Sequence, residues 1–254
     1  MHKKRGQVST FIIIGLVILF VFILIFFLRD QIREKFRAAT NTEEYLNSQL
    51  SQIKKNVDSC IVKETDKATK ILGESGGYFN PADYVSYYGK RVSILCSNIE
   101  NEKKCNAKPL DLEEVNSRLS DYLKPKIKNC INLSPYRNKD YTLTSGEFEL
   151  TTDIKPDSIL VEVEYPITLT LENSEAKISQ FKNKLEIPLG QAVVLANTVI
   201  SEEANKGAFD VMVASLLSRG SFTIRERKSY PHKIYVIDFW NGKYIFNFAI
   251  EGEE

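Results

Sequence analysis

The chain has 254 residues, 43% hydrophobic and 26% charged, with a formal net charge of +1. That balance excludes a disordered chain, and with the first forty or so residues set aside it leaves enough length for one large or two small domains with a real core. The charge is uneven: seven Lys/Arg against Asp30 and Glu34 give +5 over residues 1–37, so the remainder sums to −4, which argues against a nucleic-acid partner because phosphate binding needs a basic face.

The first element in chain order is the apolar run Phe11 to Leu28, which holds no charged or strongly polar side chain. Eighteen helical residues span about 27 Å, and Val8–Thr10 extend this to about the 30 Å of a bilayer's hydrocarbon. A core helix would show polar positions on one face. This one shows none, and it predicts a transmembrane helix over residues 7–30 behind a basic leader at residues 1–6. No Ala-x-Ala follows Phe22, so cleavage at the far end of the run is not expected. The flanking Lys/Arg (Lys3, Lys4, Arg5 against Arg29, Arg33, Lys35, Arg37) do not favour a cytoplasmic N-terminus. Four cysteines without metal-ligand spacing do favour it, because they suit an oxidising exterior for the rest of the chain.

The order Lys3-Lys4-Arg5-Gly6-Gln7-Val8-Ser9, followed by the apolar run, resembles the class III, type IV prepilin-like signal of archaeal surface proteins. There a basic leader ends in Gly and is followed by Gln-x-Ser and a long apolar helix. The resemblance covers residues 3–28 and implies cytosolic cleavage between Gly6 and Gln7, with the helix kept in the cell membrane as a single pass. It also implies a cytoplasmic N-terminus, an extracytoplasmic C-terminal domain, and contact through the helix with further copies or other surface proteins. One departure weakens assembly more than anchoring: many pilins carry Glu five residues into the mature chain, where Phe11 stands here. An uncleaved anchor with a chance Gly-Gln is the plain alternative. More loosely, the layout resembles membrane proteins of small-genome archaea in which such an anchor precedes a Cys-x-x-Glu and then a Gly-Gly-Tyr. Here these would be Cys60, with Glu64 displaced by one position, and Gly76-Gly77-Tyr78. No activity comes with that resemblance.

Beyond the anchor, Thr40 with Glu43 is a capping-box pattern for a new helix. Leu46, Leu50, Ile53, Val57, Cys60/Ile61, Ala68 and Ile71/Leu72 then recur at three- and four-residue steps and predict one amphipathic helix packed on its own domain. Residues 73–109 read as loop, with a Tyr-rich piece and two cysteines. A second helix is expected from Asp111 or Leu112 to Ile131, carrying Pro125. From Tyr141 the period switches to two. Phe148 to Ile154 and Ile159 to Leu171 alternate as strands, Pro166 marks an edge or a bulge, and residues 172–175 turn into a strand ending near Ile187. Leu189 to Leu217 is helical in pattern, divided at Gly207, and Asn241-Gly242 between two apolar runs predicts a closing hairpin. The expected fold is α+β. A helical, Cys-containing region is expected at 31–140 and an antiparallel β-sheet with a covering helix at 141–254, the latter forming one extracytoplasmic domain with 43–140.

Four cysteines allow three pairings. Cys60–Cys130 and Cys96–Cys105 are favoured: the first two sit on the apolar faces of two predicted helices, and the other two close a short loop. Four unpaired buried thiols are the alternative. No Cys-x-x-Cys, nearby His or carboxylate cluster offers a metal site, and no cofactor is expected. Asn132-Leu133-Ser134 is a lone glycosylation sequon, disfavoured by Pro135. Gly73-Glu74-Ser75-Gly76-Gly77 has the letters of a nucleophile elbow, with His232 downstream, but it follows a helix and opens a loop, and a glycine after Leu72 is better explained as a helix C-cap. Asp66, Glu202 and Glu203 read as solvated helix charges. These features predict a single-pass membrane-anchored surface protein with a structural or surface-interaction role, in contact with the lipid bilayer and not catalytic. The alternatives are an anchored monomeric binding module that uses Tyr78, Tyr84, Tyr87 and Tyr88 for recognition, and a membrane-tethered serine hydrolase.

Overall fold

The computed structural model describes Gly15 and residues 17–23, 42–99, 105–137 and 140–251. The leader, Gly6, Gln7, the capping Thr40 and most of the expected transmembrane segment lie outside the described residues. Gly15 and residues 17–23 are helical and exposed, and among the described residues no helix is long and apolar enough to cross a membrane.

The spine of the head is α1 (Thr42–Glu74), 33 residues whose buried side chains include Leu46, Leu50, Ile53, Val57, Cys60, Ile61, Ala68 and Leu72, the stripe read from the sequence. At 1.5 Å per residue it is about 50 Å long, and it serves two sheets. The hairpin β1 (Tyr84–Tyr87) and β2 (Lys90–Asn98), with β3 (Cys105–Ala107), lead into α2 (Leu112–Cys130), a short 3-10 turn at Ser134–Tyr136, and the strands β4 (Thr142–Ser145), β5 (Glu149–Ile154), β6 (Ile159–Leu171) and β7 (Ser174–Leu185). Then come α3 (Leu189–Lys206), α4 (Val211–Leu217) and the strands β8 (Phe222–Ser229), β9 (His232–Phe239) and β10 (Tyr244–Glu251).

The class α+β holds, but the single antiparallel sheet of the sequence reading is two sheets. β4 to β7 form an antiparallel sheet with β6 at its centre, and α1 and α2 lie against it. The second sheet runs β1-β2-β10-β9-β8 and is mixed, because β2 and β10 pair in parallel. Three of its strands come from the segment expected to be loop, and β8 was not expected at all. The covering helix α3 lies on this mixed sheet, against β2, β3 and β10. One apolar cluster runs through both sheets, from Tyr45 to Ile250.

Local chemistry explains several junctions. Pro166 sits in the central β6, at a register break between Glu164 and Ile167, and its carbonyl accepts from Gly146 N–H at 2.8 Å; this is the bulge reading, not the edge. Gly207, with φ of 75°, ends α3 where the apolar pattern divides. The closing hairpin joins Phe239 to Tyr244 through residues 240–243, a longer loop than the two-residue turn that Asn-Gly suggests, with Trp240, Asn241 and Gly242 all at positive φ.

The end of α1 corrects the reading of its glycines. Gly77 N–H donates to Leu72 O at 2.8 Å and Gly76 N–H to Gly73 O at 3.4 Å, with Gly76 at φ of 72°. That is a Schellman closure with Gly76, not Gly73, in the left-handed position. Gly73 lacks a side chain for another reason: a Cβ there would stand 2.4 Å from the Ile245 carbonyl oxygen. Gly73→Ala is therefore expected to destabilise the head by about 2 kcal/mol, the cost of forced overpacking, as a lower denaturant midpoint with an unchanged slope.

Candidate functional site

The structure forms both favoured disulfides. Cys60 of α1 is bonded to Cys130, the last residue of α2, and Cys96 of β2 to Cys105 of β3. The first ties together two helices that share the antiparallel sheet. The second closes the β2–β3 connection at the edge of the mixed sheet.

Of the four tyrosines expected to mark a recognition surface, the fold brings three together. Tyr87 and Lys90 close a two-residue turn in which Tyr88 and Gly89 have φ of 47° and 75°, the primed geometry that matches strand twist. The turn holds Tyr88 in water at 88% exposure. Tyr87 packs edge-on to Tyr88, and the Arg91 guanidinium lies 4.7 Å from the centre of the Tyr84 ring. Below them, Val85 and Tyr87 rest on a small apolar cluster of Val92, Ile94, Ile234, Val236 and Ala249, on the face of the sheet away from the main core. The result is an aromatic, cation-bearing finger. Tyr78 stands apart: it packs against the main core under the guanidinium of Arg118, 4.2 Å from its ring centre.

The Gly-x-Ser-x-Gly letters fall where the Schellman closure ends α1. Ser75 is buried, and its carbonyl accepts from Ser93 N–H of β2 at 3.3 Å. The site is a helix-to-loop joint, whereas an elbow is a strand-to-helix turn. Among the described residues no group of three His, Cys, Asp or Glu is placed to hold a metal ion.

Two features escaped the sequence reading. The first is Glu203, expected in water and in fact only 3% exposed. Its carboxylate accepts from Lys233 Nζ at 2.9 Å and from the Tyr235 hydroxyl, and Lys233 also donates to Gly207 O at 3.2 Å. A signal was present: Glu203 continues the buried stripe Val193, Ala196, Val199, Ile200, so it lay on the apolar face of α3. Burial, reinforced by the hydrogen bond and the charge of Glu203, raises the Tyr235 phenol above its ordinary range, and burial alone raises Tyr244. Both phenols stay protonated in the fold at pH values where an unfolded tyrosine ionises near pH 10. The folded state then holds more protons than the unfolded one, so stability falls as pH rises. The expected loss above pH 10 is about 1.4 kcal/mol per pH unit for each phenol, measurable by urea titration between pH 9 and 11.

The second feature is α4. Its helical pattern was expected, but not its exposure: Met212, Leu216 and Leu217 are 72%, 73% and 76% exposed. Its inner side explains why the helix is there. β8 is the open edge of the mixed sheet, and the Ser215 hydroxyl donates to Ile224 O at 3.4 Å and accepts from Ile224 N–H at 3.1 Å. Ser218 Oγ donates to Phe222 O at 2.7 Å. Two serines on one helix thus take the place of a missing strand along half of that edge. Asp210 starts the helix by accepting from the Met212 and Val213 N–H groups, both at 3.0 Å. Between α3, α4 and β8 lies a cleft of about 420 Å³, floored by Leu195, Phe209, Val213, Leu217, Phe222 and Ile224. No protein-family model, no curated protein and no solved structure matches this chain.

Proposed function

We propose that this chain is a membrane-anchored protein of the cell exterior with a prepilin-like N-terminus, held by residues 7–30 with the head outside, and structural or adhesive in role. The observation that carries the reading is the pairing of all four cysteines of the sequence in two disulfides, the state favoured by an oxidising compartment and opposed by the cytosol. The uninterrupted apolar run behind a basic leader supports an anchor, and the Lys-Arg-Gly-Gln-x-Ser order supports cleavage after Gly6. The tyrosine-tipped β1–β2 hairpin supports a second form of the same reading, in which the head is an anchored monomeric binding module and Tyr84, Tyr87 and Tyr88 are its contact residues.

The test is the mass of the N-terminus in native membranes, combined with protease treatment of intact cells. A chain beginning at Gln7 whose head is digested from outside is the expected result. A chain beginning at Met1 removes the prepilin-like part. A head that resists protease while all four cysteines react with thiol reagents removes the exterior location. Filaments in purified membranes against a monomer in detergent separate the two forms.

A further inference from the structure

The outer face of α4 presents Met212 and Leu216 to solvent at 72% and 73% exposure, with Leu217, which also lines the cleft, 76% exposed beside them, on a helix whose inner face is committed to the β8 edge. What lies beside that face narrows what can cover it. Ser218 bonds to Phe222, Phe222 pairs with Phe239, and the ring of Trp240 lies 6.4 Å from that of Phe239. Trp240 is 41% exposed and sits in the 240–243 turn with the exposed Lys243; Arg219, also exposed, follows directly after α4. Among the described residues neither cation makes an ion pair, and Asp238, Glu202 and Asp210 have other partners: Arg225, Lys206 and the N-terminus of α4. Protruding aliphatic side chains, an amphipathic aromatic ring and two cations at one end of a sheet are the combination that settles at a lipid headgroup boundary.

The chain's own dimensions bring a bilayer within reach. The hydroxyl of Tyr244, at the same end of the sheet, faces the carbonyl of Thr69, which lies about 40 Å along α1 from Thr42. The thirteen residues 29–41 between the apolar run and α1 span at most about 45 Å when extended.

We propose that the outer face of α4, with Trp240, Arg219 and Lys243, rests on the lipid surface of the membrane that holds the N-terminal apolar segment, so that the head lies along the bilayer. This rests on the anchor reading above. Trp240 is the single tryptophan of the chain, which makes it a reporter. The full chain is placed in nanodiscs of phosphatidylcholine with phosphatidylglycerol, and Trp240 fluorescence is quenched either by lipid brominated near the headgroup or by aqueous acrylamide. The expected result is quenching by the brominated lipid and protection from acrylamide. Both are lost in M212S/L216S/L217S and reduced in R219E/K243E, which leaves the apolar packing intact. A disc-held chain in which Trp240 is open to acrylamide and silent to brominated lipid overturns the lipid contact alone. Protection that persists in detergent in a particle of two copies makes the face a self-interface and overturns it as well. A chain recovered free of the discs overturns the anchor reading, and the lipid contact with it.

Discussion

Replacing Cys60 and Cys130 together by alanine is expected to lower the stability of the head by about 4 kcal/mol, more than any other substitution proposed for this chain. The bond joins residues 70 apart in sequence, and closing so long a loop removes correspondingly many conformations from the unfolded chain. The Cys96–Cys105 bond joins residues 9 apart, and by the same relation its removal costs about 2.5 kcal/mol. The difference between the two double variants is itself informative, because each also loses one buried and one half-buried cysteine. If both lose the same amount in equilibrium unfolding, loop entropy is not what the bonds contribute. The native side favours a large effect for the first bond. Cys60 is buried in the middle of α1 and Cys130 ends α2, whereas the N-terminal half of α2 is held independently. Asn116 donates to Thr152 O at 2.9 Å and accepts from Thr152 Oγ1 at 2.7 Å, and Ser120 shares a 2.6 Å hydrogen bond with the same threonine. Without the disulfide, α2 stays docked on β5 and packed against α1 but loses its covalent tie to α1. The loss therefore falls mainly on the unfolded side and on the end of α2. Adding reductant to the wild-type chain should reproduce the sum of the two losses, about 6–7 kcal/mol, close to the whole stability of many domains.

Elements whose burial is one-sided were legible in the sequence. The α1 stripe, the alternation of β6 and the break at Gly207 each follow a local period, and a local period needs no partner to be read. The cysteine pairing was legible for the same reason, since Cys60 and Cys130 continue apolar faces. β2 was not, because Val92 to Cys96 is buried on both faces and shows no alternation, and its parallel partner β10 lies some 150 residues away. β8 was not, because an open edge carries Arg225, Glu226, Arg227 and Lys228 where a central strand would carry apolar residues. The candidate surfaces divide along the same line. The tyrosines were legible as residues but not as a finger, since a type I′ turn at Tyr88-Gly89 lacks the usual Asn or Asp. The apolar pattern of α4 was legible, but not that much of it faces away from the protein. An amphipathic period says that a helix has an apolar side, and only the fold says whether that side meets the protein.

Glu203→Ala is expected to cost about 3 kcal/mol, and the reason lies in what the substitution leaves behind. The carboxylate is the shared acceptor for Lys233, whose side chain is 20% exposed, and for Tyr235, which is fully buried. Removing one member of a buried charge pair typically costs 3–5 kcal/mol, because the partner charge stays desolvated. The lower end applies here: Lys233 keeps some water and its hydrogen bond to Gly207 O. Glu203→Gln separates charge from hydrogen bonding. Its carbonyl can still accept from one donor, but its amide faces the other, so a loss of about 1–2 kcal/mol is expected. Tyr235→Phe removes a donor and leaves the stronger Lys233 pair, and should cost about 1 kcal/mol. Combining Glu203→Gln with Tyr235→Phe should then cost less than the sum of the two, since the donor that the glutamine fails to satisfy is gone. A strictly additive double variant would show that the two side chains do not share one hydrogen bond. A Glu203→Ala chain as stable as wild type would place this carboxylate in water and undo the account of how α3 is fixed to β9. The same variants bear on the exposed helix, because Gly207, held by Lys233, is the joint from which the chain leaves α3 for α4. Loss of the pair is therefore expected to raise amide exchange first in residues 207–217, ahead of the strands beneath them.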